Sequence, residues 1–457
     1  MRKEIDMLNG PLGPAIIRFT IPVILTTILQ NLFNTVDLMV VGQFCGDLPF
    51  SAVTATTSLT NLLISLFTGL SLGAGITVAR ALGSRRDEDV SRAVHTAIPT
   101  ALVGGALLTV VGTVFAPDLL ELMNTPAEVL PLSAVYIRVY FAGIVFTVVY
   151  NFGAAILRAT GDTQRPLFYL LIAGALKVLL TLFVVVVCKM DVAGVALSTV
   201  ISQGVAATLV TLALIRRADS CKLCLKKIRF YKAPLLNILK FGLPAGLQSS
   251  FNGIANLTTS VALNSFDSAA LIAGNGASRE LEMFTDAIGI GFTQAVPNFV
   301  AQNLGAKQYD RIKKSFLLCM GYATAFVLAA CMLMFPFREP LLGLYIKDSA
   351  EALAYGMIRM QYILLPGFLM AAMTVSTGAL QGLGHSLAAS IIMLATNGAL
   401  RMIWIYTVFF TMPEYHELKY LYLLYSVSWI LTTAIAVPLF IILFQKKKRA
   451  ALALNQS

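Results

Sequence analysis

Twelve runs of about twenty predominantly apolar residues, divided by short polar breaks, leave this chain few ways to fold. Their centres fall near Gln30, Leu66, Gly105, Val145, Leu176, Gln203, Ile254, Asp286, Phe326, Met370, Trp404 and Leu431. Each run suits the ~20 helical residues that cross a ~30 Å hydrocarbon layer, and each is too long for a barrel strand. In lipid every backbone N–H and C=O must pair within its own segment, so the expected fold is an all-α polytopic membrane protein with 12 transmembrane helices. Composition leaves no aqueous alternative. The chain is 57% hydrophobic and 12% charged, with a mean hydropathy of +0.78, whereas soluble domains carry roughly 25% charged residues. Intrinsic disorder fails on the same arithmetic.

The formal net charge of +11 invites a nucleic-acid reading until the basic residues are placed. The amino terminus (Arg2, Lys3), the even-numbered loops and the tail hold 23 of them, seven within residues 216–232, while the odd-numbered loops hold four: Lys189, Arg338, Lys347 and Lys419. Lysine and arginine concentrate in cytoplasmic loops. Both termini of this multi-pass chain are therefore expected on the cytoplasmic side of the cell membrane, which agrees with an even number of spans. The charge expresses topology and contact with anionic membrane lipids, not nucleic acid. The six cysteines show no framework, and no disulfide is expected. Cys221-x-x-Cys224 has no second pair or suitably spaced histidine to complete a zinc site, so neither metal nor cofactor is expected. The first apolar run is too long for the core of a cleavable signal peptide, and none is expected. No phosphate loop, nucleophile elbow or metalloprotease motif is present. The chain reads as a transporter that does not itself use ATP, not as an enzyme.

The second half of the chain repeats the first. At a shift of 222 residues Phe19-Thr20-Ile21-Pro22 faces Phe241-Gly242-Leu243-Pro244, Gly69 faces Gly291, Leu82-Gly83 faces Leu304-Gly305, and Tyr140 faces Tyr362. Slight drift then aligns Leu157 and Gly161 with Leu380 and Gly384, and Gly174-Ala175-Leu176-Lys177 with Gly398-Ala399-Leu400-Arg401. The expected organisation is a six-helix lobe over 1–215, a basic cytoplasmic linker over 216–233, and a second six-helix lobe with a basic tail over 234–457. An even number of spans per copy sets both lobes the same way up, with a cleft between them, as in transporters that work by alternating access. Pro22 and Pro244 are expected to open the first helix of each lobe, and the glycines Gly69, Gly73, Gly75, Gly289 and Gly291 to allow close helix contact.

A charge near the middle of a spanning helix is disfavoured by at least ~2.5 kcal/mol, so each such residue is a functional candidate. Asp37 shares one helix face with Gln30 and Asn34. Lys177 lies mid-helix in the fifth run, and Asp37 is the acid available to it in the first lobe. The two are expected to approach, either as a functional pair or as a purely structural one, unless Lys177 reaches water instead. In the eighth run Arg279, Glu282 and Asp286 share a polar face. The two carboxylates suggest a proton site, and an intrahelical ion pair with Arg279 is the alternative. Arg401 is the repeat equivalent of Lys177. It is expected to brace helix ends, meet an acidic neighbour or contact substrate.

These residues resemble the multidrug and toxic compound extrusion (MATE) family over essentially the whole chain. The resemblance rests on Pro22-x-x-Leu25…Gln30-Asn31…Val36-Asp37…Val41-Gly42, on Ala81-Leu82-Gly83-Ser84, on Leu157-Arg158-Ala159-Thr160-Gly161-Asp162-Thr163, and on Gln302-Asn303-Leu304-Gly305-Ala306. It implies cation-coupled antiport of amphiphilic, often cationic small molecules out of the cytoplasm, with Asp37 as the acid that binds the coupling ion; the chain is expected to be a monomer in the membrane. Where family members with a defined ion site carry Asn and Asp four apart on the fifth helix, this chain has Lys177 and Thr181. A carboxylate is lost and a cation gained, which favours H+ over Na+ as the coupling ion. Na+-coupled efflux is the nearest alternative. A lipid-linked precursor flippase of the same superfamily would need a strongly basic cavity, for which Lys177, Arg279 and Arg401 are the available cations.

Overall fold

Paired backbone groups are what the lipid demands, and the computed structural model meets the demand with helices alone: no strand occurs among the described residues, which are 4–123, 125–346 and 349–454. Arg2, Lys3 and Lys347 lie outside them. Twelve long helical segments contain the twelve apolar runs. They are α1 Leu12–Phe44, α2 Asp47–Gly83, α3 Asp87–Val114, α4 Leu130–Ala142 with Ile144–Ala159, α5 Gln164–Val187 and α6 Val192–Ile215. The second set is α7 Lys232–Asn264, α8 Ala269–Gly305, α9 Tyr309–Gly343, α10 Ala350–Gly382, α11 Ser386–Phe409 and α12 Leu418–Ala453. Among the described residues nine are long and apolar enough to cross a bilayer, and α4, bent by 47° at Gly143, makes a tenth. The other two, α7 and α8, are 33 and 37 residues long and more polar; α8 carries Arg279, Glu280, Glu282 and Asp286.

The repeat is visible in the turns as well as the helices. After α2, Arg85 takes φ 55° and its N–H donates to Leu82 O; after α8, Lys307 takes φ 57° and donates to Leu304 O. Gly161 and Gly384 both take φ 88°, a left-handed conformation that glycine adopts without steric cost, and each closes the helix before it.

Packing divides the chain into two compact units, Met1–Asp6 with Leu25–Ser250, and Met7–Ile24 with Phe251–Ser457. One boundary, between Asp6 and Met7, precedes α1; the other two fall inside helices, within α1 and within α7, shortly after the prolines. Pro22 and Pro244 do not open these helices, as the repeat suggested, but lie inside them: α1 begins ten residues earlier at Leu12 and α7 twelve earlier at Lys232. An internal proline removes one backbone hydrogen bond and crowds the preceding turn, leaving a point where the two halves can diverge.

In the first unit the leading half of α7 lies against α2, where Gly69 meets Gly246: a Cβ on Gly69 would sit 2.1 Å from the Gly246 nitrogen. In the second unit the leading half of α1 lies against α8, where a Cβ on Gly291 would meet Ile24 at 2.5 Å. Ile24 and Gly246 are repeat equivalents, as are Gly69 and Gly291. Phe19 and Phe299 add an edge-to-face contact at 5.7 Å, and Asn303 Nδ2 donates to Met7 O at 3.1 Å.

The basic linker is fastened to the first unit. Cys224 N–H donates to His95 Nε2 at 2.9 Å, Tyr231 N–H donates to Thr96 Oγ1 at 3.2 Å, and the buried Arg217 pairs with Glu4 and Asp219. Burial pushes the Asp219 carboxyl up, but hydrogen bonds from Arg217 and its charge bring it below the ordinary carboxylate value. The pair is therefore intact at any pH above about 4, and it loosens only as acid carries Asp219 through its lowered value.

Candidate functional site

In the first unit, α1 and α5 bring Asp37 and Lys177 together. Each is 7% exposed, and Lys177 Nζ lies 2.6 Å from Asp37 Oδ2. Thr181, one turn further along α5, donates from Oγ1 to Asp37 Oδ1 at 3.4 Å, and Lys177 Nζ also donates to Asn34 Oδ1 at 3.4 Å. Both carboxylate oxygens are thus engaged by one helix. Gln30 is exposed and makes no part of this contact set. Around α1 and α2, Val40, Val41, Val53, Val185 and Val195 form an apolar cluster with Tyr136 packed against it. Tyr136 stacks on Tyr140 at 6.0 Å, and both rings lie within electrostatic reach of Asp37. Just beyond Thr181, α5 widens into a π-helical turn at Phe183–Val187, an irregularity frequent at functional sites.

The second unit pairs its acid differently from the expectation. Glu282 does not turn to Arg279 on its own helix. It accepts two hydrogen bonds from Arg359 of α10, at 2.9 Å from Nε and 2.7 Å from Nη2, in the bidentate geometry that suits a guanidinium and a carboxylate. Arg359 Nη1 donates to Asn275 Oδ1 at 2.7 Å, and Tyr422 donates to the same oxygen at 3.4 Å. Arg279 and Glu280 are exposed, and Asp286 is half-buried, one turn beyond Glu282. The physical reason is geometric: an arginine three residues before a glutamate meets it only edgewise along the helix surface, whereas one on the facing helix presents its whole fork. Arg359, Asn275, Tyr422 and Tyr136 were not singled out from sequence. Arg359 stands ten residues into α10, directly before the π-helical turn Met360–Leu364, and its proximity to the polar loop masked it.

Among the described residues no carboxylate forms an ion pair with Arg401. It donates to Ser428 Oγ and Asn397 Oδ1, and the Tyr425 ring lies 4.0 Å from its guanidinium.

Twelve long helical segments in two repeated sets among the described residues, with ion pairs buried between helices, define a polytopic membrane protein of the transporter class. The MatE profile matches residues 22–183 and 244–407, one copy on each repeat, and the chain belongs to that family, the MATE transporters. It is 27% identical over 341 residues to the probable multidrug resistance protein YoeA of Bacillus subtilis, covering 72% of this chain and 73% of that one. It is 25% identical over 391 residues to the multidrug export protein MepA of Staphylococcus aureus, covering 83% and 85%. Its fold matches that of an outward-facing multidrug resistance MATE family transporter of the MOP superfamily with a TM-score of 0.91, over 98% of this chain and 99% of that one, at 20% identity.

Proposed function

We propose that this transporter is a proton-driven antiporter that exports amphiphilic, often cationic compounds from the cytoplasm by alternating access, with Asp37 and Lys177 as its coupling pair. The observation that carries the reading is the 2.6 Å contact between Lys177 Nζ and Asp37 Oδ2, closed on its other side by Thr181. The carboxylate already holds a fixed cation. A sodium ion would have to displace the ammonium and remain beside it, against like-charge repulsion in a low-dielectric setting. A proton needs no such room: it neutralises Asp37 and releases Lys177, which must then find another partner, and that search couples protonation to movement of α1 against α5. Relatives named for multidrug resistance and multidrug export favour small amphiphilic substrates. A lipid-linked precursor carrying pyrophosphate would call for several unpaired cations, whereas Lys177 has Asp37, Arg279 is exposed, and Arg401 alone remains. The loop charges favour both termini inside the cytoplasm, with anionic lipids at the basic linker.

Proteoliposomes with an imposed pH gradient test the reading. Asp37→Asn mimics the protonated acid and cannot cycle, so it is expected to abolish proton-driven accumulation of a lipophilic cation while equilibrium binding stays within about tenfold, ~1.4 kcal/mol. Uphill transport at the wild-type rate by this variant would remove Asp37 from the mechanism and move the coupling role to Glu282 and Asp286. Sodium-dependent, pH-insensitive transport by the wild type would defeat the proton assignment.

A further inference from the structure

Arg401 occupies the single helical turn between two π-helical segments of α11, Leu394–Ala399 and Ile405–Phe409, and is 5% exposed. Its donors reach only neutral oxygens: Nε and Nη2 donate to Ser428 Oγ at 3.1 and 2.8 Å, and Nη2 donates to Asn397 Oδ1 at 3.0 Å. Among the described residues no carboxylate forms an ion pair with it. The other buried cations described above each have one: Lys177 has Asp37, Arg359 has Glu282, and Arg217 has Glu4 and Asp219. The repeat sharpens the contrast. Arg401 is the equivalent of Lys177, but at the shift of 222 that aligns α1 with α7 the equivalent of Asp37 is Thr259, a buried residue whose hydroxyl donates to Ala255 O on its own helix. The second unit has kept the cation and not the acid. An arginine stays charged at every physiological pH, and a buried guanidinium with neutral partners alone is strongly disfavoured unless an anion completes it.

We propose that Arg401 is an anion subsite of the second unit, and that it takes a single negative charge, such as a carboxylate, on an amphiphilic substrate. The inference rests on the export reading above and assigns to it the residue that receives a substrate's negative group. Asn397 and Ser428 hold the guanidinium fork in place, and Asn397 is itself steadied by donating Nδ2–H to Thr432 Oγ1 at 2.9 Å. Tyr425, half-buried with its ring against Arg401, offers aromatic surface for the apolar body of such a molecule, and the buried Trp429 backs it edge-to-face at 6.0 Å. The Glu282–Arg359 pair is already balanced, so one uncompensated cation matches a monoanion and not a diphosphate.

Rhodamine 123, a cationic methyl ester, and rhodamine 110, the same ring system with a free carboxylate, differ at the group in question. Their binding to the full-length chain in lipid nanodiscs can be read by fluorescence anisotropy. The wild type is expected to bind both, and Arg401→Gln to raise the dissociation constant of rhodamine 110 at least tenfold relative to that of rhodamine 123. Should Arg401→Gln fail to fold, Ser428→Asp sets a competing carboxylate against the intact guanidinium. It is expected to shift the same ratio at least fivefold further than the uncharged Ser428→Asn. Parallel changes for both dyes in Arg401→Gln, equal ratios in the two Ser428 variants, or a wild type that binds rhodamine 123 but not rhodamine 110 would overturn the subsite and leave the export reading standing. A wild type that binds neither dye would overturn the export reading and the subsite with it.

Discussion

Glu282 and Arg359 form the more fully satisfied of the two buried pairs, since both carboxylate oxygens and all three guanidinium nitrogens have partners at 2.9 Å or less. Removing one member of such a pair leaves the other buried without a counter-charge, which is disfavoured by ~3–5 kcal/mol, whereas replacing both by apolar residues is far milder. Glu282→Leu is accordingly expected to lower the thermal unfolding midpoint of the purified protein sharply, and Glu282→Leu with Arg359→Leu to recover most of the loss. Additive losses would show that the two residues are not energetically coupled. Asp37 and Lys177 were legible in sequence because each stands nearly alone as a charge in long apolar runs. Arg359 was not, because hydropathy reads a charge near a span's end as the span's border. The neutral shell of Arg401 was equally hidden, since nothing in a pattern of Asn, Ser and Tyr says which helix face will meet which.

Individual helices are declared by runs of apolar residues, but their ends and breaks depend on what they pack against. Pro22 and Pro244 lie inside α1 and α7 because close contacts, backbone to backbone across Gly69–Gly246 and backbone to side chain across Gly291–Ile24, reward continuing the helix on both sides of the proline. The glycine contact sets a prediction at this scale. Gly69→Val would drive its Cβ and methyl groups into the backbone of α7, which cannot rotate away as a side chain can. The expected loss is about 1–3 kcal/mol, the usual range for overpacking, seen as earlier thermal aggregation on fluorescence-detected size exclusion. Gly253→Ala, on α7 where a Cβ meets nothing within 4 Å, is the control. It is expected to be stabilising by up to ~1 kcal/mol through helix propensity. A Gly69→Val protein as stable as the wild type would mean that α2 and α7 are not in close contact.

For the whole molecule, loop charge predicts which ends face the cytoplasm. In a cysteine-free background, a cysteine near Asp118, between α3 and α4, is expected to react with an impermeant maleimide added outside, and one near Lys226 in the basic linker to stay unmodified until the membrane is opened. The reverse pattern would invert the topology. Span number, helical class, loop-charge asymmetry and the two-fold repeat were all present in the amino-acid order, because each follows from local quantities: a run length matched to the bilayer, a count of lysine and arginine, a fixed shift between like segments. Even the pairing of Asp37 with Lys177 followed from scarcity, since a buried ammonium needs an acid and one was at hand. Tertiary structure alone decided that the leading half of each repeat's first helix packs with the other repeat's helices, that Glu282 answers Arg359 and not Arg279, and that Arg401 is held by neutral groups. Those outcomes depend on which helix faces meet, and packing between helices that are apolar nearly all round is selected by small-residue contacts and hydrogen-bond geometry, which periodicity along one chain does not encode.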